Sequence, residues 1–388
     1  MLAPELYFEG RSPTHLVRAP GRVNLIGEHT DYNGLPVLPM AIQRAVTIRL
    51  RAREDRRVRL ANADPRHAPC EFELAPRIEP FAPGHWGNYA KAAAQALEAR
   101  CGLARGFDGL VAGDVPAAAG LSSSSALVVA SALALLAANE TPLAAPELME
   151  LTARAERYVG THSGGMDQAI SLGGRAGHAV EIEFDPLRLA PVPVPASWRF
   201  VIANTLVEAR KSGGAQAAYN TRVRECREAL AGLCGSPRTW RELVARVPEA
   251  SLLELVAALP APLARRARHV VTEGRRVPEA VSALRAEDLG AFGRLLDASH
   301  ASLRDDFEVS CPELDELVAA ARAHGAAGAR LTGAGFGGCA VALAPAERVA
   351  DLLAGLRDAF YRPRGVDPEA ADALLVAEPS SGAGTTRL

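Results

Sequence analysis

Lysine is almost missing from this chain: of its 43 basic residues only Lys91 and Lys211 are lysines. A phosphate loop of the Gly-Lys-Ser/Thr kind needs a lysine directly after glycine. Ala90 precedes Lys91 and Arg210 precedes Lys211, so no such loop exists. Neither lysine suits the protein-kinase pattern with its glycine-rich loop. Cysteine is also scarce. The six residues (Cys70, Cys101, Cys226, Cys234, Cys311, Cys339) form no CxxC pair and no zinc spacing, and free thiols in a reducing cytosol are expected. The formal charge of −2 provides no basic field for nucleic acid. The longest apolar run, 126–138, is broken by Ser131 and falls short of the ~20 residues a bilayer requires. Residues 1–8 lack a basic region followed by an apolar core, so no secretory signal and a cytoplasmic location are expected.

What is present is ordinary for a soluble globular protein: 48% hydrophobic and 23% charged residues over 388 positions, long enough for two domains. β-like runs occur at 16–19 and 45–50. Helical spacing predicts a helix over 86–101, closed by Gly102, and further helices over 123–138 and 146–159. A strand is expected at 179–184. Asp185-Pro186 and the proline-rich run 191–195 suggest a domain junction, placing one domain at 1–190 and another at 191–388. Helices dominate 215–325. Pro312 and Gly325 bracket the clearest of them. Strands near 328–332, 338–343 and 373–377 follow, and the tail 380–388 is expected to be mobile.

Three segments carry chemistry. The first is Gly21-Arg22-Val23-Asn24-Leu25-Ile26-Gly27-Glu28-His29-Thr30-Asp31-Tyr32-Asn33-Gly34. A capped turn explains part of it. Such a density of hydrogen-bonding side chains also suits a polyhydroxylated ligand. The second is Pro116-Ala117-Ala118-Ala119-Gly120-Leu121-Ser122-Ser123-Ser124-Ser125-Ala126. Small side chains let backbone N–H groups approach an anion, and the long helix that follows points its positive end at the same place. The third, Gly333-Ala334-Gly335-Phe336-Gly337-Gly338, matches GxGxxG, but a strand pattern rather than a helix follows it, which argues against a dinucleotide fold.

Together these segments resemble the galactokinases of the GHMP small-molecule kinase superfamily. Gly164-Gly165-Met166-Asp167-Gln168 is similar to the family segment with the catalytic aspartate, and the ending 379–384 also fits. The resemblance implies an α+β, two-domain fold. A ribosomal-protein-S5-like N-terminal domain precedes a ferredoxin-like C-terminal one, with the active site between them. It further implies transfer of the γ-phosphoryl of ATP, with Mg²⁺, to the C1 hydroxyl of α-D-galactose, in a monomer whose partners are small molecules, not membranes or nucleic acid.

On that resemblance Asp167 is the general base and Arg22 stabilises the developing alkoxide and the transferring phosphoryl group. A guanidinium so placed makes the carboxylate a weaker base, so orientation and electrostatics share the role. Glu28, His29, Thr30, Asp31, Gly164 and Tyr219 are the implied sugar contacts. A site built on the axial C4 hydroxyl rejects the epimer by leaving polar groups unpaired. Trp86, Ala118, Ala119, Gly120, Leu121, Ser122, Ser123, Ser124, Gly333 and Gly335 are the implied ATP contacts. Ser124 and Glu156 are the implied Mg²⁺ ligands. Glu156 lies eleven residues before Asp167, one fewer than in many galactokinases, and Ala155 occupies the longer register.

Three alternatives remain at this stage. Ser163-Gly164-Gly165 departs from the Cys-Gly-Ile of many galactokinases, and 160–168 and 200–204 resemble the N-acetylgalactosamine kinase branch, with Gly165 leaving more space near C2, whereas Tyr219 argues for galactose. A catalytically silent galactose sensor is a second, opposed by the intact serine run. Another GHMP kinase, for mevalonate, homoserine or arabinose, is the third, and the Glu28–Asp31 run opposes the first two substrates most.

Overall fold

The computed structural model describes residues 7–8, 10–116, 119–161, 163–207, 214–233 and 239–388. Strand β1 (His15–Ile26) is much longer than its apolar start suggests and runs through the first half of the first motif. It pairs antiparallel with β2 (Leu38–Ala52), with register shifts at Pro20/Arg22 and at Asn24/Ile26. Such irregularities re-aim side chains on either side of them. With β3 (Arg57–Asn62), β4 (Cys70–Glu73), β5 (Phe107–Gly113) and β12 (Gly384–Arg387), these strands form a six-stranded sheet in the order β12-β1-β2-β5-β3-β4.

Four helices cover this sheet: α1 (Gly87–Cys101), α2 (Ser123–Asn139), α3 (Ala145–Ala155) and α4 (Met166–Gly173). Helix α2 is apolar nearly all round because it lies between β1, β2 and α1, with Val128, Val129 and Leu135 in the core.

The second sheet contains β8 (Trp198–Asn204), β9 (Gly328–Thr332), β10 (Cys339–Pro345) and β11 (Leu374–Ala377), all antiparallel, in the order β11-β8-β10-β9. Taken in chain order this is the 4-1-3-2 arrangement of a ferredoxin-like sheet, as expected. Among the described residues, six helices separate β8 from β9: α5 (Gly214–Leu233), α6 (Trp240–Arg246), α7 (Glu249–Ala257), α8 (Ala261–Arg285), α9 (Leu289–Asp305) and α10 (Pro312–Ala323). Helix α11 (Val349–Leu356) lies between β10 and β11. Among the described residues, no helix is long and apolar enough to cross a membrane.

The segment expected to hold a domain junction is largely regular structure: β6 (His178–Glu183) and β7 (Arg188–Pro193) form a hairpin, with Asp185-Pro186 in its turn and Pro191 and Pro193 inside β7. Proline is tolerated in β7 because it pairs on one side only. The tail 380–388, expected to be mobile, is held in place. Gly382 N donates to Gly174 O at 2.7 Å, and β12 pairs with β1 from Arg18↔Gly384 to His15↔Arg387. Its side chains are exposed, so backbone hydrogen bonds to an open sheet edge order it without leaving an apolar pattern in the sequence.

One fully buried side chain links the two sheets. From β9, Arg330 donates to the carbonyls of Asn24 (3.0 Å) and Leu25 (2.9 Å) on β1 and to the Glu28 carboxylate at 2.6 Å. Removing one partner of such a pair leaves the other charged and desolvated. Arg330→Met is therefore expected to lower unfolding free energy by about 3–5 kcal/mol, read by urea denaturation at pH 7; a loss below about 1 kcal/mol would show that the pair does not hold the sheets together.

Candidate active site

The bulged end of β1 turns the Arg22 guanidinium toward the start of α4. Its Nε donates to Asp167 Oδ1 at 2.8 Å, across 145 positions of sequence. Nη1 donates to the Gly120 carbonyl, and the Arg22 amide donates to Leu121 O at 3.1 Å. The first motif is thus bonded to the serine loop at two points. Asp167 is the second residue of α4, yet its carboxylate does not cap that helix: it accepts from Arg22, from the Ser122 hydroxyl and, at 3.4 Å, from Ser125. Arg22 is 7% exposed and Asp167 21%, so the carboxylate is the member of the pair that opens to a ligand. Burial opposes the charge on Arg22, but Asp167 and Glu28 outweigh it and hold the guanidinium more firmly protonated.

The serine loop meets the third motif backbone to backbone. Gly120 (φ +77°) and Gly333 (φ +86°) are both left-handed, and a Cβ on Gly333 would lie 2.8 Å from Gly120 O. Only glycine permits that approach. Gly335 packs in the same way on Val309, and Ala119 is buried beside Gly338. Ser122 is left-handed at φ +60° without being glycine, an uncommon conformation that aims its hydroxyl at Asp167. Ser123 opens α2, whose N-terminus points into the site. Ala118 lies outside the described residues.

The acidic residue Glu156 is buried at the end of α3. Its carboxylate accepts from Ser125 and, at 2.9 Å, from Ser163. Ionisation of Tyr89 is suppressed by burial and then by the charge of Glu156, and eased by the Ser124 hydroxyl nearby. Ser124, Glu156 and Tyr89 therefore lie near one another. Trp86 begins the helix that carries Tyr89; its indole N–H donates to Ala68 O at 2.9 Å, and its ring lies near-parallel to His85.

On the opposite side of Asp167 lies the turn that follows β1. Asp31 Oδ2 accepts from the Gly164 amide at 3.1 Å, and a Cβ on Gly164 would sit 2.3 Å from the Tyr32 nitrogen. The two segments are in direct backbone contact. Burial, and then the neighbouring Asp167 charge, push Asp31 up to about 6. His29 Nδ1 meets the Tyr32 hydroxyl at 3.0 Å, while Nε2 is buried without a hydrogen bond. Tyr219 packs against both rings, with centroids 5.6 Å from His29 and 5.7 Å from Tyr32. Burial, then His269, push His29 down to about 3, so the ring is neutral near pH 7. Thr30 stands apart: its hydroxyl is spent on Gly27 O (2.8 Å) and Pro36 O (3.0 Å), which shapes the turn. Burial raises Glu28 against the pull of Arg330 and Arg22.

A Cβ at Gly165 would meet Ala153 of α3 at 3.2 Å. The glycine answers to a backbone at φ +102° and to helix packing, which removes the reason for reading it as extra space beside a sugar. Several contributors escaped the sequence reading. Ser125 was visible in the serine run but had no assigned task. Arg330 stood as a lone charge in the otherwise apolar strand β9. Ser163 and Thr332 stood beside the motifs without an assigned task, and Phe307, Glu273 and His269 gave no signal.

The chain matches the family model of the galactokinase galactose-binding signature at residues 5–52, that of the GHMP kinase N-terminal domain at 88–175, and that of the GHMP kinase C-terminal region at 280–362. It is 43% identical to a galactokinase of Roseiflexus sp. (strain RS-1) over 361 residues, covering 92% of this chain and 90% of that protein. It is 39% identical to a galactokinase of Actinobacillus succinogenes over 365 residues, covering 90% and 93%. Lactococcus lactis galactokinase, solved with galactose, superposes with a TM-score of 0.87 at 34% identity, covering 99% of this chain and 98% of that one. The Methanococcus jannaschii mevalonate kinase, at 19% identity and a TM-score of 0.65, shares the fold. The chain belongs to the galactokinases, ATP-dependent sugar kinases of the GHMP superfamily.

Proposed function

We propose that the chain transfers the γ-phosphoryl group of ATP to the C1 hydroxyl of α-D-galactose, giving galactose 1-phosphate and ADP. The observation that carries this reading is the Arg22–Asp167 pair set between the serine loop and the turn of Glu28–Asp31. The C1 hydroxyl approaches Asp167 Oδ2, which takes or orients its proton. The oxygen lone pair attacks Pγ, the bond from Pγ to the bridging oxygen breaks, and ADP leaves with the electron pair. Arg22 is a fixed positive charge beside both oxygens, where charge develops. The Ser122 hydroxyl, already on Asp167, keeps that carboxylate in one orientation.

Asp31 and the His29–Tyr32–Tyr219 wall face the sugar. Asp31 accepts hydroxyl hydrogens, and the aromatic edges limit which epimer seats. The Lactococcus lactis relative holds galactose, which supports the same sugar here. The backbone amides of the 119–122 loop and the N-terminus of α2 suit the phosphates, and Trp86 marks the adenine side. Ser124 and Glu156 offer oxygen donors only, which fits Mg²⁺. Ser124 and Glu156 would hold such a cation, which would supply neutralising positive charge for the phosphates during transfer. The described cysteines are free thiols, which supports a reducing cytoplasm.

A coupled ADP-release assay over galactose, glucose, N-acetylgalactosamine, arabinose and mevalonate tests the reading. Galactose is expected to give the highest kcat/KM, and a higher value for any other sugar or for mevalonate overturns it. In that assay Asp167→Asn should lower kcat by on the order of 10²-fold or more in a protein that still folds, with a lowered melting temperature because Arg22 loses its partner; near-normal turnover removes Asp167 from the chemistry.

Asp31 gives a prediction of opposite signs. Its folded-state pKa of about 6 lies above the ordinary carboxylate value. The proton it retains adds stability in full at about pH 4 and below, and that contribution disappears as pH rises through 6. Asp31→Asn should therefore raise unfolding free energy by about 1–3 kcal/mol at pH 8, do little at pH 4, and raise the sugar KM. Destabilisation at pH 8 would contradict the burial of this charge.

A further inference from the structure

The turn that follows β1 is held from behind by residues that belong to none of the motifs. Gly27 (φ +94°) and His29 (φ +62°) are both left-handed, so the amides of Gly27 and Glu28 converge on one point. Glu273 of α8 occupies that point. Its Oε1 accepts from Gly27 N at 2.9 Å, from Glu28 N at 3.3 Å and from the Ser299 hydroxyl at 2.7 Å. Its Oε2 pairs with Arg276 at 2.7 Å. One helical turn earlier on the same face, His269 Nε2 lies 3.0 Å from the Glu28 carbonyl. With Arg330 on the Glu28 carboxylate, the amide, the carbonyl and the side chain of one residue are each fixed from the C-terminal half of the chain.

A second route leads from the same helix. The His269 ring packs on Phe307 with centroids 4.5 Å apart, and Phe307 packs on His29 at 4.6 Å. Helix α8 thus fixes both the backbone of the turn and the ring that lines its pocket. Glu273 is fully buried and none of its hydrogen bonds reaches Arg22, Asp167 or the serine loop. Although burial opposes ionisation, Arg276, His269 and Arg330 pull the carboxyl down to about 2, so it stays an anion and a strong acceptor at working pH. Consecutive backbone amides that converge on an anion form a rigid concave unit.

We infer that Glu273 and His269 are positioning residues for the sugar: they fix the conformation of Gly27–His29, and through it sugar affinity and discrimination between epimers, without taking part in nucleotide binding. This rests on the reading of the site as a galactose pocket. The inference separates sugar from nucleotide, which a general loss of stability would not do. It also separates the oxygen of Glu273 from its charge, because glutamine keeps an acceptor for the two amides.

The test measures KM for galactose, KM for ATP, kcat, and the galactose-to-glucose ratio of kcat/KM in the full-length chain, for the parent, Glu273→Ala, Glu273→Gln and Ser299→Ala. The alanine variant at 273 should raise the galactose KM at least tenfold and reduce discrimination against glucose by a similar factor, with the ATP KM within twofold of the parent. Glu273→Gln should return the galactose KM to within about threefold. Ser299→Ala, the mildest change, should raise the galactose KM severalfold and leave the ATP KM alone, and it decides the matter if Glu273→Ala does not fold. Unchanged galactose KM and epimer ratio in the folded variants, or equal losses for both substrates, overturns the inference. A parent that does not turn over galactose at all overturns the pocket reading instead.

Discussion

The structure depends on a guanidinium and a carboxylate meeting in a place that excludes most solvent. Arg22 arrives on a bulged strand and Asp167 on the first turn of a helix, and among the described residues each has no other ion-pair partner. Around this contact the three motifs lock: Gly120 lies on Gly333, Arg22 on Gly120 and Leu121, and Asn24 N on the Thr332 hydroxyl at 3.2 Å. The glycines permit backbone contact where any Cβ would hold the loops apart. The motifs are therefore one object in space, although more than 300 positions separate the first from the last.

That object has a division of labour set by solvation. On one side, amides, small side chains and serine hydroxyls suit a polyanion that neutralises itself with a cation. On the other, a partly buried carboxylate and an aromatic wall suit a neutral polyol, whose hydroxyls supply the hydrogen bonds that water gives up. Burial makes Asp31 costly to ionise. Behind that turn, the Glu273 and Arg330 contacts fix it to the C-terminal half.

Much of this was legible in the sequence. The three motifs and Asp167 identified the family, and the order of the four C-terminal strands followed from that resemblance. What the sequence hid has physical reasons. A His269–Glu273 pair at i, i+4 looks the same on a solvated helix face as on a buried one. The tail strand pairs through backbone alone, with exposed side chains that carry no period. Pro191 and Pro193 hide strand β7 because the pattern does not reveal that the strand pairs on one side only. Glu156 bonds Ser125 rather than Ser124, a distinction of about 100° around one helix that a run of four serines cannot express.

The central claim is that Arg22 and Asp167 act on the sugar oxygen as a unit. A double-mutant cycle on kcat with galactose, using Arg22→Gln, Asp167→Asn and the two combined, measures it most directly. The account predicts strong non-additivity, with the double variant no more than about tenfold slower than the slower single one. Losses that multiply through the cycle would show two independent groups and contradict it.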